Sequence, residues 1–223
     1  MNTDTIALPP WSLSGNAVIL MYRFPSGFCQ QYGFMEEYQQ KNYKGRLGLV
    51  MLVDYKTSNI GPYKELLFTP GLFKLGDRTT FSISKIYVSS YTSVLNGIAN
   101  WGIPKELADF TFSYKDDGLA NIQVHTGGNT FFNARIKSWG PHFPLSSKIL
   151  PWCRITQQVQ HQLFLTTPII SGKARLASIK DVQVNADFFA PIDQLRPLLV
   201  LSVNNFLMTF PPAIKVPLPS MRP

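Results

Sequence analysis

The chain has 223 residues, enough to bury a sizeable core as one large domain or two small ones. Hydrophobic residues make up 45% and charged residues only 15%, against about 25% charged in an average globular domain, which excludes extensive disorder except toward the ends. The net charge of +8 is dispersed: its densest groups, Lys41, Lys44 and Arg46 and then Lys173, Arg175 and Lys180, lack the aromatic interleaving of a nucleic-acid-binding motif and read as solvated faces.

Residues 1–10 read as a lead-in ending at Pro9-Pro10. Residues 17–24 (AVILMYRF) form a short apolar run bounded by Gly15 and Pro25, which predicts a buried strand. Residues 29–44 are aromatic and polar, with a short helix around 34–40. Residues 45–55 (GRLGLVMLVDY) predict a central strand, and the turn signal of residues 58–62 leads into another at 63–70. Residues 78–90 alternate as a strand with a bulge, and residues 91–100 fit a helix leading into Pro104. Strands follow at 110–114, 120–125, 130–139 and 160–171, separated by Asp116-Asp117-Gly118, Gly127-Gly128-Asn129 and a loop over 140–151. Asp117-Gly118 is a hairpin signal. Residues 172–184 are again strand-like, 192–201 predict one helix interrupted by Pro197 or two short pieces, and 205–210 a last strand before a proline-rich tail.

No repeat, composition break or linker divides the chain, so residues 1–223 are expected to form a single domain, with about 1–9 and 211–223 as extended terminal segments. The fold class expected is α+β, mainly antiparallel β, closed into a barrel or a curved two-layer sheet with a few peripheral helices.

Cys29 and Cys153 form neither a CxxC pair nor a disulfide framework. The N-terminal MNTDTIALPPW lacks the basic start and apolar core of a signal peptide, and no run of 18 apolar residues could span a bilayer. A cytoplasmic protein without a membrane or nucleic-acid partner is expected. There is no GxSxG elbow, no phosphate-binding glycine loop and no dinucleotide fingerprint. His125, His142 and His161 lack the spacing of a metal site, so neither metal nor cofactor is expected. Glu36-Glu37 and Asp116-Asp117 are sequence neighbours whose side chains diverge.

Two segments carry chemistry. In residues 96–110 (NGIANWGIPKELADF), Lys105 follows a run of uncharged residues. Desolvation disfavours an ammonium, and a free amine can condense with a carbonyl. The competing reading is an ordinary helix start, with Pro104 at its first position followed by Lys105, Glu106 and Leu107. In residues 55–70, Glu65 sits on an apolar strand, where a carboxylate is costly without a partner. Its competing reading is an outward-facing strand residue.

Together these segments resemble the acetoacetate decarboxylase family, through Tyr55, Ser58, Gly61, Pro62, Tyr63 and Glu65, then Gly102-Ile103-Pro104-Lys105 some forty residues on. The resemblance implies a cone-shaped closed antiparallel barrel, Lys105 as Schiff-base nucleophile, Glu65 as acid/base and a small carbonyl or keto-acid ligand. It also makes a homo-oligomer unsurprising. Lysine activation by burial or by a neighbouring cation comes with the resemblance too.

Several positions depart from the family pattern. Glu106 stands where the family has a second lysine, and a carboxylate beside an ammonium holds it charged; Glu106 is the third candidate site residue. Val50 falls at the position of a second inward glutamate. The N-terminal arginine position falls near Gly15 or Asn16, with Arg23 the nearest substitute. Schiff-base chemistry on a β-keto acid or related carbonyl compound, of decarboxylation or aldol/dehydration type, is the leading expectation. A non-catalytic barrel holding an apolar small molecule, with Lys105 and Glu65 as a buried ion pair, is the alternative. An assembly protein using its proline-rich tail for subunit contacts is the third.

Overall fold

Strand β1 (Trp11–Tyr22) is apolar on both faces because it is covered on both: Leu20 and Tyr22 enter one core, Trp11 and Leu13 another. The computed structural model that shows this describes residues 6–45, 47–149 and 154–218. Expectations about Arg46, Cys153 and the chain ends beyond these limits lie outside the described residues. After β1 come helices α1 (Ser26–Tyr32) and α2 (Glu37–Asn42), then strands β2 (Tyr43–Gly45), β3 (Gly48–Thr57), β4 (Tyr63–Thr69), β5 (Leu72–Leu75), β6 (Arg78–Phe81) and β7 (Lys85–Val88). Helix α3 (Tyr91–Trp101) leads to β8 (Lys105–Leu107), β9 (Asp109–Tyr114), β10 (Leu119–Thr126) and β11 (Asn129–Ser146). The remainder is β12 (Ile155–Val159), β13 (Gln162–Thr166), β14 (Ile169–Val184), β15 (Leu199–Phe210) and β16 (Ile214–Pro217).

Ten strands form one sheet in the order β8-β7-β4-β3-β1-β15-β14-β11-β10-β9, antiparallel throughout except for the β7/β8 pair. Its two edge strands are consecutive in sequence, joined only through Ala108, so the sheet must roll round to bring them together. Ring contacts across the roll agree. The rings of Tyr87 on β7 and Phe131 on β11 have centroids 4.8 Å apart, although the two strands are far apart in the sheet order. The result is a nearly closed, barrel-shaped sheet of mainly antiparallel strands with few helices.

The interior is filled by Leu20, Leu52, Leu66, Phe68, Ile122 and Phe132. A second, six-stranded sheet (β16-β13-β12-β6-β5-β2) has its two halves joined by a parallel bridge between Phe81 and Ile155. Together with α3 it encloses, against the other face of the barrel sheet, the second core of Trp11, Leu13, Val53, Tyr55, Ile86 and Phe206. Among the described residues no helix is long and apolar enough to cross a membrane.

The strands expected at 45–55, 63–70, 110–114 and 120–125, and the helix at 91–100, are present within a few residues. Elsewhere the structure corrects the expectation. The helix placed at 34–40 is α2, set a few residues later, with the unexpected helix α1 before it, and β11 runs on to Ser146 through the supposed loop at 140–151 because β14 pairs with it there. Residues 192–201 hold one 3-10 turn, Ile192–Gln194; from Leu199 the chain is strand β15, drawn into the sheet between β1 and β14. In the proline-rich tail, Ile214–Pro217 form β16, which adds to the edge of β13.

Candidate active site

Three elements meet at one end of the second core. On β4 the alternation of a strand turns Tyr63, Glu65 and Leu67 to that side and Leu66 and Phe68 to the barrel interior. Helix α3 begins at Ser90, whose side chain accepts from the Ser93 amide at 3.3 Å, and ends at Gly102. Gly102 takes the left-handed conformation (φ +65°), and the Ile103 amide turns back onto the Gly97 carbonyl at 3.2 Å. This reversal lays β8 beside the helix it has just left, in parallel register with β7, with Lys105 opposite Ile86. Lys105 therefore starts a strand, not a helix, and the helix-start reading of Pro104 is overturned by the glycine cap before it.

The Lys105 side chain runs across α3 at Gly97. A β-carbon there would stand 2.6 Å from Lys105 Cδ and 2.8 Å from Cε, so the stem occupies the space a side chain would fill. The ammonium nitrogen donates to Glu65 Oε2 at 3.2 Å and to Ser93 Oγ at 2.9 Å, and lies 5.2 Å from the centre of the Tyr63 ring. Lys105 is 7% exposed and Glu65 4%. The other carboxylate oxygen of Glu65 accepts from the Tyr55 hydroxyl at 3.4 Å, and the Tyr55 and Tyr63 rings stack obliquely 4.5 Å apart. Burial, and after it the Glu65 charge, raises both phenols well above their ordinary value of 10.0. Both remain protonated at neutral pH, so Tyr55 is a hydrogen-bond donor there.

The pair opens on a cavity of about 150 Å³ lined chiefly by apolar side chains, among them Trp11, Met51, Leu67, Trp101, Ile103 and Phe210. Among the described residues no three His, Cys, Asp or Glu side chains converge to hold a metal ion. The arrangement gathers an amine, a carboxylate and hydroxyl groups within proton-transfer distance at the wall of an apolar-lined recess.

Lys105 and Glu65 are brought together; Glu106 is not. Strand alternation turns it to the opposite face of β8, where it pairs with Lys85 at 2.6 Å and is half exposed. It does not face Lys105, and the expectation that it holds that ammonium charged fails on direction. Val50 likewise faces the barrel interior. The cavity-facing neighbours on β3 are Leu49 and Met51, neither of them an acid. Gly15 lies against the Asp54 carbonyl, where a β-carbon would come to 2.1 Å, and Asn16 accepts from the Asn205 amide. Arg23 is exposed beyond the end of β1. The residues missed from the sequence are Ser93 and Gly97. Their spacing of four puts them on one face of the expected helix, but nothing local says that Lys105 crosses that face.

The sequence model of the acetoacetate decarboxylase (ADC) family matches residues 43–176. No curated protein matches the chain. Among solved structures, acetoacetate decarboxylase from Legionella pneumophila superposes over 97% of this chain and 90% of its own, with 16% identity and a TM-score of 0.72. The enduracididine biosynthesis enzyme MppR complexed with pyruvate covers 96% of this chain and 93% of its own, at 12% identity and a TM-score of 0.66. An acetoacetate decarboxylase-like enzyme from Sphingomonas wittichii RW1 covers 96% and 95%, at 11% identity and a TM-score of 0.67. At these identities the likeness is one of fold. The family match spans more than half of the sequence and includes both Glu65 and Lys105, and on that ground the chain belongs to the acetoacetate decarboxylase family.

Proposed function

We propose that the protein is an enzyme that forms a Schiff base between Lys105 and a carbonyl substrate, with Glu65 as its acid/base. The observation that carries this reading is the placement of the Lys105 amine, buried, within 3.2 Å of one carboxylate and at the wall of a cavity. Transfer of one proton from the ammonium to Glu65 leaves a neutral amine and a neutral acid with no change in the charge of the site. The amine then adds to the substrate carbonyl. Glu65 returns its proton to the carbinolamine oxygen, and water departs to leave a protonated imine. The cationic nitrogen accepts the electron pair of a breaking bond on the α-carbon, giving an enamine: a carboxylate leaves as carbon dioxide, or the carbon–carbon bond of an aldol is cleaved. Reprotonation and hydrolysis free the product and the lysine. Tyr55, donating to the far oxygen of Glu65, orients the carboxylate, and Ser93 orients the amine.

The family membership and the MppR structure complexed with pyruvate support a small carbonyl or keto-acid ligand. The test is trapping: incubation with pyruvate or acetoacetate, reduction with borohydride, and digestion. A mass increment on the peptide that contains Lys105 is expected, together with its loss in Lys105→Met. The almost wholly apolar lining favours one rival, a binding protein in which Lys105 and Glu65 are a structural ion pair. Saturable ligand binding without any reducible adduct would establish that rival.

A further inference from the structure

The Lys105 recess does not end at its own walls. A second recess of about 200 Å³ shares Leu49, Met51, Tyr55, Phe81, Ile170 and Met208 with it, so the two adjoin end to end as a trough along the face of β3, β1 and β15, with these shared side chains between them. Its far part is walled by Ile19, Met21, Leu47, Leu145 and Leu201. Ile19, Met21, Leu49, Met51, Ile170 and Met208 are only half-buried, which is unusual for apolar side chains in the middle of a sheet and marks a surface waiting for apolar cover. Three of the wall residues are methionines, whose unbranched side chains adapt to chains of variable shape.

The charges point the same way. Among the described residues lining both recesses, Lys105 is the only cation, and it already has Glu65 as counter-ion. A substrate carboxylate near the amine would sit beside the carboxylate of Glu65. Farther along the trough it would be desolvated against apolar walls with no partner. A neutral carbonyl compound meets neither cost.

We propose that the substrate is an uncharged carbonyl compound with a long apolar tail, such as an unbranched methyl ketone, its carbonyl at Lys105 and its tail along the trough. The proposal rests on the Schiff-base reading of Lys105. In the step at issue the amine nitrogen bonds to the ketone carbon and the ketone oxygen leaves as water, taking one proton from the amine and one from Glu65. The protonated imine that remains loses an α-proton to Glu65 to become an enamine, and the electron pair of that C–H bond moves toward nitrogen.

The experiment uses the full chain and a homologous series from 2-butanone to 2-undecanone, set against 2-oxo acids of matched length, pyruvate and acetoacetate. Each is trapped with borohydride and read by mass on the Lys105 peptide. Half-maximal ketone concentration is expected to fall by about two- to fourfold per added methylene until the trough is full, since burying each methylene contributes about 0.8 kcal/mol at most. Matched 2-oxo acids are expected to need at least tenfold more. Leu145→Trp, which narrows the far part of the trough, is expected to cut the long-to-short preference at least fivefold, a ratio that does not depend on the fraction of folded protein. Adducts with no chain-length dependence, or oxo acids as good as ketones, would overturn the proposal and leave Lys105 chemistry standing. No adduct from any compound, pyruvate and acetoacetate included, would overturn the Schiff-base reading and this proposal with it.

Discussion

The Lys105–Glu65 contact is held together more by what its loss would expose than by its own attraction. Both side chains are almost fully buried, so the Coulomb gain is set against the desolvation of two ions. Lys105→Met leaves the Glu65 carboxylate in an apolar recess with the Tyr55 hydroxyl but no cation beside it among the described residues, and is expected to cost about 3–5 kcal/mol. Adding Glu65→Leu removes the stranded charge and should restore most of that stability. Urea unfolding of the two variants measures the difference, and equal losses in both would show that the charges do not interact. Gly97 is the other residue on which the amine depends. Gly97→Ala places a methyl where the Lys105 stem now runs. The stem is flexible enough to move while the helix stays, so the fold should survive and the amine should shift. A displacement of about 1 Å costs on the order of a hundredfold in a positioned reaction. Borohydride trapping should therefore fall by one to two orders of magnitude, while the unfolding midpoint falls by less than in Lys105→Met, because the displaced ammonium stays near enough to offset the Glu65 charge.

At the scale of the element, the site is made by a helix that ends on a left-handed glycine and a strand that turns back beside it. β8 has three residues, and its alternation decides which of Lys105 and Glu106 reaches the cavity. The substitution Glu106→Lys tests that geometry. On sequence alone a lysine beside Lys105 should promote the free amine, but on β8 it would face Lys85 instead. The expected result is trapping within twofold of the unsubstituted protein. The half-exposed pair with Lys85, worth about 0.2–1 kcal/mol, would be lost. A clear gain in trapping would mean that β8 does not hold this register. The same pair of residues shows what the sequence made legible. Glu65 and Lys105 could be read because a spaced motif of turn residues flanks each of them. Glu106 could not be placed, because helix and strand send consecutive residues in different directions and Pro104 is compatible with either. Val50 was misplaced for the same reason, since a shift of one residue in a strand exchanges cavity for barrel interior. Strands such as β3 and β4 announce themselves by composition. The stretch from Leu199, β-branched at Val200 and Val203 but preceded by Pro197, is settled by pairing with β1 and β14, which are remote in sequence.

Over the whole molecule, closing the large sheet and covering its outer face with the small one takes most tyrosines partly or wholly out of water, with Tyr91 and Tyr114 left about half exposed. Tyr22, Tyr38, Tyr43, Tyr55, Tyr63, Tyr87 and Tyr114 all have phenols raised above the ordinary value of 10.0, in every case first by burial. Nearby carboxylates add to it: Glu65 for Tyr55 and Tyr63, Asp54 for Tyr114 and Asp193 for Tyr22. A group whose folded pKa lies above its unfolded one leaves stability intact below the unfolded pKa. It erodes stability as the pH rises past that value, because the unfolded chain then gives up protons that the folded chain retains. Each buried phenol, Tyr22, Tyr55, Tyr63 and Tyr87, steepens the fall by about 1.4 kcal/mol per pH unit, and the half-exposed Tyr114 by much less, because solvent screens it. With both cores contributing, the protein should be indifferent to pH between about 7 and 9 on this account and then unfold sharply above about 10. Phenolate absorbance followed alongside circular dichroism measures it. The ionisation of the buried tyrosines should coincide with the loss of structure in one transition. Phenolate absorbance that grew tyrosine by tyrosine while the fold persisted would mean that water reaches both sides of the sheet, and with it the recess that is meant to keep Lys105 dry.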